Sequence, residues 1–319
     1  MKLDPVLASA LRKKEDLAAS RDANVPSRGD ASGLRSFLNA GFPTAYSQVG
    51  VSPDVTYESY EATAEDGARI PLRWYTRATD SPGSAVVYVH GGGMIAGTTE
   101  FYDPIVRHYV QSTGVPFLSV EYRLAPDVTG DASARDVMAA LEWLILHAAA
   151  LNIDPQRIAI MGDSGGGGIG AGAAILARDR RITIAAQILI FPMLDDRNTE
   201  PDPHIAPLLL ERSMWTYEKN HTCWSAVLGE KLGTDDVSPY AAPARLEDFG
   251  GLPAAYIEVG TLDIFRDESI LYALNLLRAG VQTELHVHPG APHGHDWLAP
   301  TSPLAERWKA DRARVIAGL

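Results

Sequence analysis

The stretch "AIMGDSGGGGIG", residues 159–170, follows an apolar run and sets one serine in a glycine-rich turn. Three chemistries use such a turn. It can cradle a dinucleotide pyrophosphate, wrap a phosphate as a P-loop, or hold a nucleophilic serine on a strained elbow between strand and helix. Gly165, Gly167 and Gly170 satisfy G-x-G-x-x-G, while Gly162, Ser164 and Gly166 satisfy G-x-S-x-G. No lysine followed by Ser or Thr comes after the glycines, which removes the P-loop. A dinucleotide fingerprint belongs in a first βαβ unit, with an acidic residue ending the next strand. Here the turn follows roughly the third parallel run, and the next run ends at Pro192, with Asp195 and Asp196 beyond it.

The elbow makes a steric demand. Its serine occupies a strained backbone position, so the residues two before and two after must be small, as Gly162 and Gly166 are. Asp163 fills the position between. The hydroxyl then stands at a helix N-terminus, whose dipole favours developing negative charge.

The surrounding chain has the matching organisation. Residues 1–50 read as short amphipathic helices and loops. "VTYESYEATAEDGARIPLRWYT" alternates with period two on both sides of Glu65-Asp66-Gly67, an antiparallel strand pair about a turn. Short apolar runs follow at 84–90, 117–122, 157–162, 185–192, 254–260 and 284–288, the pattern of buried parallel strands. Between them "ASARDVMAALEWLILHAAA" puts Val137, Met138, Leu141, Leu144 and Ile145 on one helical face, and "DESILYALNLLRAG" ends in a capping glycine. The alternation predicts an α/β fold, a mostly parallel central sheet flanked by helices. Residues 195–237, with their prolines and two tryptophans, interrupt it and read as an inserted, partly helical lid.

Three further features bear on the serine. "HGGG", residues 90–93, directly follows a buried strand, where side-chain-free backbone can aim N–H groups at one point as an oxyanion hole requires. Asp263 lies just past a strand end, from which a carboxylate can orient an imidazole; Asp267 and Glu268 fit the first turn of the next helix better. Finally, "HVHPGAPHGHDW" holds four of the nine histidines, so the base must be sorted among them. His286 and His288 flank Val287 on a strand and point to one face, toward solvent or a neighbouring strand. His293 and His295 follow in the loop. H-x-H pairs also serve as metal ligands, but no H-E-x-x-H or cysteine cluster completes a shell, so no metal is expected. Ser164, then Asp263, then His293 is the chain order of an α/β-hydrolase triad.

With these residues in place, the sequence resembles the bacterial hormone-sensitive-lipase-like esterases of the α/β-hydrolase fold. The matching pieces run from about residue 84 onward: "HGGG", "EYRLAPD", "NIDPQRIAIMGDSGGG", "SPYAAPAR", "GLPAAYIEVGTLDIFRDE" and "LHVHPGAPHG". The resemblance implies Ser164 as nucleophile, Asp263 as acid and His293, not His295, as base, because the family's base is followed by Gly. It implies oxyanion donors at the N–H groups of Gly92, Gly93 and Gly165, with His90 and Gly91 supporting the loop structurally. It also implies a helical cap made of residues 1–50 and 195–237 over a core of residues 51–194 and 238–319. Departures are Gly165, where the family often has Ala, which predicts a looser elbow; His295 in place of Phe; and Ile264 after the acid.

The expected activity is a serine carboxylesterase acting on small to medium acyl esters through an acyl-enzyme, without cofactor or metal. Trp215, Tyr217, Trp224 and His295 are the candidate pocket residues. The competing readings are a non-catalytic binding protein on the same fold and a metal-dependent hydrolase using the histidine cluster. Bulk properties agree with a globular enzyme: 319 residues, 46% hydrophobic and 21% charged. A net charge of −12 disfavours nucleic acid and anionic membrane as partners. The expected partner is a small-molecule ester, with a homodimer admitted. Cys223 is the sole cysteine, excluding an internal disulfide, and charges break the N-terminal segment, so a cytoplasmic protein without membrane insertion is expected.

Overall fold

Eight strands form one sheet in the order β1-β2-β4-β3-β5-β6-β7-β8. They span Val55–Thr63 (β1), Arg69–Arg77 (β2), Ala85–Val89 (β3), Phe117–Val120 (β4), Ile158–Asp163 (β5), Ala186–Ile190 (β6), Ala254–Leu262 (β7) and Thr283–Pro292 (β8). The computed structural model describes residues 3–9, 25–46, 49–50, 53–78, 83–203, 206–208 and 215–319. β1 and β2 are the antiparallel hairpin expected around Gly67, and β2 also pairs antiparallel with β4. Every later pairing is parallel.

The period-two alternation of β3 decides which helices lie on which face. Val86 and Tyr88 pack with Ile105, Val106 and Val110 of helix α2 (Asp103–Thr113) and with Ile316 of α8 (Pro303–Ala317). Val87 and Val89 point the other way, into the cluster holding Val137, Met138, Leu141 and Leu144 of α3 (Ala132–His147) and Ala173 and Ala174 of α4 (Gly165–Asp179). Each such aliphatic side chain contributes about 1.5–3 kcal/mol on burial. A one-residue slip would exchange the two faces, so the register is fixed.

Among the described residues, two long helices lie outside this layering. α1 (Ala31–Tyr46) and α5 (Tyr217–Leu228) come from distant parts of the chain and meet over the glycine loop. Arg35 donates to the carbonyls of Ile95 (2.7 Å) and Ala125 (2.6 Å), and Asn39 accepts from Gly97 N–H at 2.9 Å. The Gly29 N–H joins the two segments by donating to Thr222 Oγ1 at 2.9 Å. Among the described residues, no helix is long and apolar enough to cross a membrane.

Candidate active site

Parallel pairing delivers three side chains to one end of the sheet. β5 ends at Asp163, paired with Ile190, and Ser164 is the next residue. On β7 and β8, Leu262 pairs with Pro292, so Asp263 and His293 are the next residues on two neighbouring strands. A register shift between Gly260 and Leu262 creates this match, a bulge that re-aims the strand beside the site. Ser164 Oγ lies 3.0 Å from His293 Nε2, and His293 Nδ1 lies 2.7 Å from Asp263 Oδ2. The other carboxylate oxygen accepts the Phe265 N–H at 3.0 Å. All three side chains are buried.

Ser164 has φ 54° and ψ −118°, a conformation costing a non-glycine residue roughly 1–3 kcal/mol. Its neighbours hold it there. Its N–H donates to Ile190 O at 2.8 Å, and its carbonyl accepts from Gly168 and Met193 N–H at 3.1 and 3.0 Å. A methyl group on Gly166 would fall 2.2 Å from Val89 O and 2.3 Å from His90 O, so no side chain fits between elbow and β3.

Gly165, which the family pattern made a sign of looseness, is in close contact instead. A methyl group there would fall 2.7 Å from Met94 N and 2.9 Å from both Cα and N of Gly93. The missing methyl lets the glycine loop lie directly on the elbow. Met94, which the sequence reading passed over, is therefore part of the same backbone cluster. On its other side Gly93 faces Trp215 Cη2 and Cys223 Sγ. His90 sits behind the loop: its ring stacks on Tyr122, Nδ1 donates to Gly91 O at 2.8 Å, and Tyr122 OH donates to His90 O at 2.7 Å. Burial lowers its pKa and keeps the ring neutral.

The remaining candidates divide by position. Trp215 stands beside the site, its ring 5.9 Å from that of His293, with Nε1 donating to Asn220 Oδ1 at 3.3 Å. Trp224 is fully buried, and Tyr217 is buried at the start of α5. His295 is buried edge-on to Trp308, with Nδ1 donating to Pro292 O at 2.8 Å, and burial drives its pKa down to about 3. His288, expected to face solvent or a neighbouring strand, faces the last helix instead. It is buried, accepts the Trp308 indole N–H at 2.5 Å, and is likewise pushed down to about 3 by burial. Glu268 does more than charge the start of α6 (Arg266–Arg278): buried, it accepts from Leu194 N–H (2.6 Å) and Asn198 Nδ2 (2.6 Å) and so fixes the chain after β6. No signal in the sequence marked Phe191 and Phe265, whose rings meet His293 edge-on at 4.8 and 5.1 Å. Among the described residues no group of three or more His, Cys, Asp or Glu is placed to hold a metal ion.

Known proteins share this arrangement of sequence and fold. A family described as the alpha/beta hydrolase fold matches residues 86–296. An ethyl acetate hydrolase from Pseudomonas putida is 32% identical over 240 residues, 72% of this chain and 73% of its own length. Carboxylesterase NlhH of Mycobacterium tuberculosis is 35% identical over 228 residues, 69% of each chain. Among solved structures, a bacterial heroin esterase superposes with a TM-score of 0.87 at 34% identity, over 99% of this chain and 97% of that one.

Proposed function

The chain belongs to the alpha/beta hydrolase family, among the hormone-sensitive-lipase-like esterases, and is a carboxylic ester hydrolase; from that premise we propose that Ser164 is its nucleophile, His293 its base and Asp263 the carboxylate that orients the base. One observation carries the assignment: the continuous chain from Ser164 Oγ through both ring nitrogens of His293 to Asp263. In this reaction Oγ attacks the acyl carbon and its proton passes to His293 Nε2. Asp263 keeps the proton on Nδ1 and stabilises the imidazolium. The tetrahedral oxyanion is received by the N–H groups of Gly92, Gly93 and Gly165, drawn together by the contact of Gly165 with Gly93. Collapse breaks the ester C–O bond, and the leaving alkoxide takes the proton from Nε2. Water then attacks the acyl-enzyme, giving its proton to the same nitrogen, and the carboxylic acid leaves as Ser164 recovers that proton.

The described residues of 1–50 and 195–237 form the cap in this proposal, supported by the packing of α1 and α5 on the glycine loop; residues 1–2, 10–24, 47–48, 204–205 and 209–214 lie outside the described residues. Trp215 is the pocket residue with the best claim, because it faces both the base and Gly93. A bulky indole at that point favours small to medium acyl groups, in line with the ethyl acetate named for one relative. A fluorophosphonate adduct located by peptide mass spectrometry tests the nucleophile: it should fall on Ser164 and be absent from Ser164→Ala. Labelling elsewhere, or turnover surviving in that variant, sinks the assignment. Rates over p-nitrophenyl esters of increasing acyl length should fall beyond medium chains in the native protein, and the fall should move to longer chains in Trp215→Ala.

A further inference from the structure

Behind the base lies a buried cluster of charges that the reaction itself does not use. Arg312, on α8, is 1% exposed. Its Nε donates to Glu258 Oε1 at 3.0 Å, and Nη2 donates to the same oxygen. Nη1 donates to Asp296 Oδ2 at 2.7 Å and to Tyr109 OH at 3.1 Å. Both carboxylates are as buried as the guanidinium. Tyr256 OH completes the set by donating to Glu258 Oε2 at 2.7 Å.

Stability alone is a poor explanation for this cluster. Taking three charges out of water costs several kcal/mol each, and apolar side chains of equal volume often serve a core as well or better. Its connections are more informative. Glu258 lies on β7 five residues before Asp263, and Asp296 lies three residues after His293. One planar side chain thus ties the strand carrying the acid to the loop carrying the base, and anchors both to the last helix. The backbone oxygen of Glu258 also accepts from Phe191 N–H at 2.7 Å, and the Phe191 ring rests edge-on against His293. The short helix α7 (His295–Leu298) begins directly after Gly294, so moving Asp296 moves His293 with it.

We propose that Arg312 is a positioning residue for ester hydrolysis, setting the Asp263–His293 hydrogen bond by clamping β7 and the 293–296 loop together. The proposal rests on the assignment of Asp263 and His293 given above. Arginine suits the task because its rigid fork reaches two carboxylates in fixed directions, whereas a lysine ammonium is a point donor on a flexible stem. Retaining the charge is therefore not enough.

The test compares Arg312→Lys, Asp296→Asn and His293→Gln in the full chain. The readouts are kcat and KM on a p-nitrophenyl ester, thermal unfolding, and the far-downfield proton resonance of the His293 Nδ1–H. In Arg312→Lys, kcat should fall about 10-fold at a temperature well below unfolding, with KM within about twofold, and the downfield resonance should shift or broaden. Asp296→Asn keeps the Arg312–Glu258 contacts and the volume, and should shift both readouts in the same direction by less. If Arg312→Lys does not fold, Asp296→Asn decides alone. Unchanged kcat and resonance alongside a lowered unfolding temperature would make the cluster purely structural and overturn the proposal. His293→Gln separates the two levels: if it remains active, the base itself is misassigned and the positioning role falls with it.

Discussion

The two ends of the site are built by different means. The serine end is made of two short contiguous segments, Gly162 to Gly166 and His90 to Gly93, set side by side by the pairing of β5 with β3, and the absence of side chains on their glycines lets the two backbones touch. The acid and base end is assembled at long range. Asp263 and His293 are 30 residues apart, and His293 is 129 residues from Ser164, so their meeting depends on strand order, the β8 bulge and the buried clamp behind them. A short steric motif tolerates change elsewhere but not within itself. A register-built contact tolerates local change and is sensitive to distant packing.

The severest way to probe this division is to remove one chemical group from each end. Ser164→Ala should abolish the nucleophile and reduce kcat by about 10⁴-fold or more in steady-state assays, leaving only binding and the oxyanion donors. Asp263→Asn should cost about 10³- to 10⁴-fold while leaving fluorophosphonate labelling of Ser164 detectable but slow, because the base persists in the wrong tautomer. If the asparagine variant keeps near-native kcat, the acid end contributes nothing and the comparison between the ends collapses.

Steric probes are gentler and separate the two glycines of the elbow. Gly166→Ala drives a methyl group to within 2.2 Å of a strand carbonyl, so kcat should fall about 100-fold and the unfolding midpoint should drop as well. Gly165→Ala meets the backbone of the glycine loop at 2.7–2.9 Å, too close for a real methyl group, so the loop carrying Gly93 and Met94 has to move. The expected loss is about 10-fold in kcat, with a drop in the unfolding midpoint smaller than that of Gly166→Ala, whose methyl group comes closer to its backbone neighbours. Equal kinetics in Gly165→Ala and the native protein would show that the loop does not depend on the missing methyl.

The same division explains what could be read in the sequence. The elbow and the glycine loop were legible because their requirement is small residues at fixed spacing, and spacing is what a sequence displays. β3 to β8 were legible from their apolar runs and β1 and β2 from their period-two alternation, and the chain order pointed to Ser164, Asp263 and His293, which the fold brings within hydrogen-bond reach of one another. Three things were hidden. The tight fit of Gly165 on Gly93 depends on a loop more than sixty residues upstream of it, so a family comparison suggested looseness where there is contact. His288 alternates correctly on its strand, yet the face it points to is covered by Trp308 of α8, which no periodicity in β8 reveals. Arg312 looks like one of many charges on an amphipathic helix, and its burial follows only from the docking of that helix across β7.

The smallest expected effect is in stability against pH, and here the two ends should titrate in opposite directions. At the base end, burial holds His295 and His288 near about 3, below the 6.5 of a free imidazole. As pH falls below 6.5 the unfolded chain takes up protons that the folded chain refuses. Their stabilisation is therefore full above 6.5 and is lost toward 3, at up to about 1.4 kcal/mol per pH unit for each ring. At the serine end, burial pushes the Asp163 carboxyl up to about 7 against its ordinary 3.8, although Tyr88 OH donates to it at 2.9 Å. Its stabilisation is full below 3.8 and is lost as pH rises through 7, the reverse sign. Between pH 5 and 6.5, urea unfolding of His295→Gln should accordingly show a shallower rise of stability with pH than the native protein, by up to about 2 kcal/mol across that interval. Asp163→Asn should show a steeper one over the same range. Parallel stability curves for the native protein and both variants would mean that neither end holds its titratable group away from its ordinary charge state.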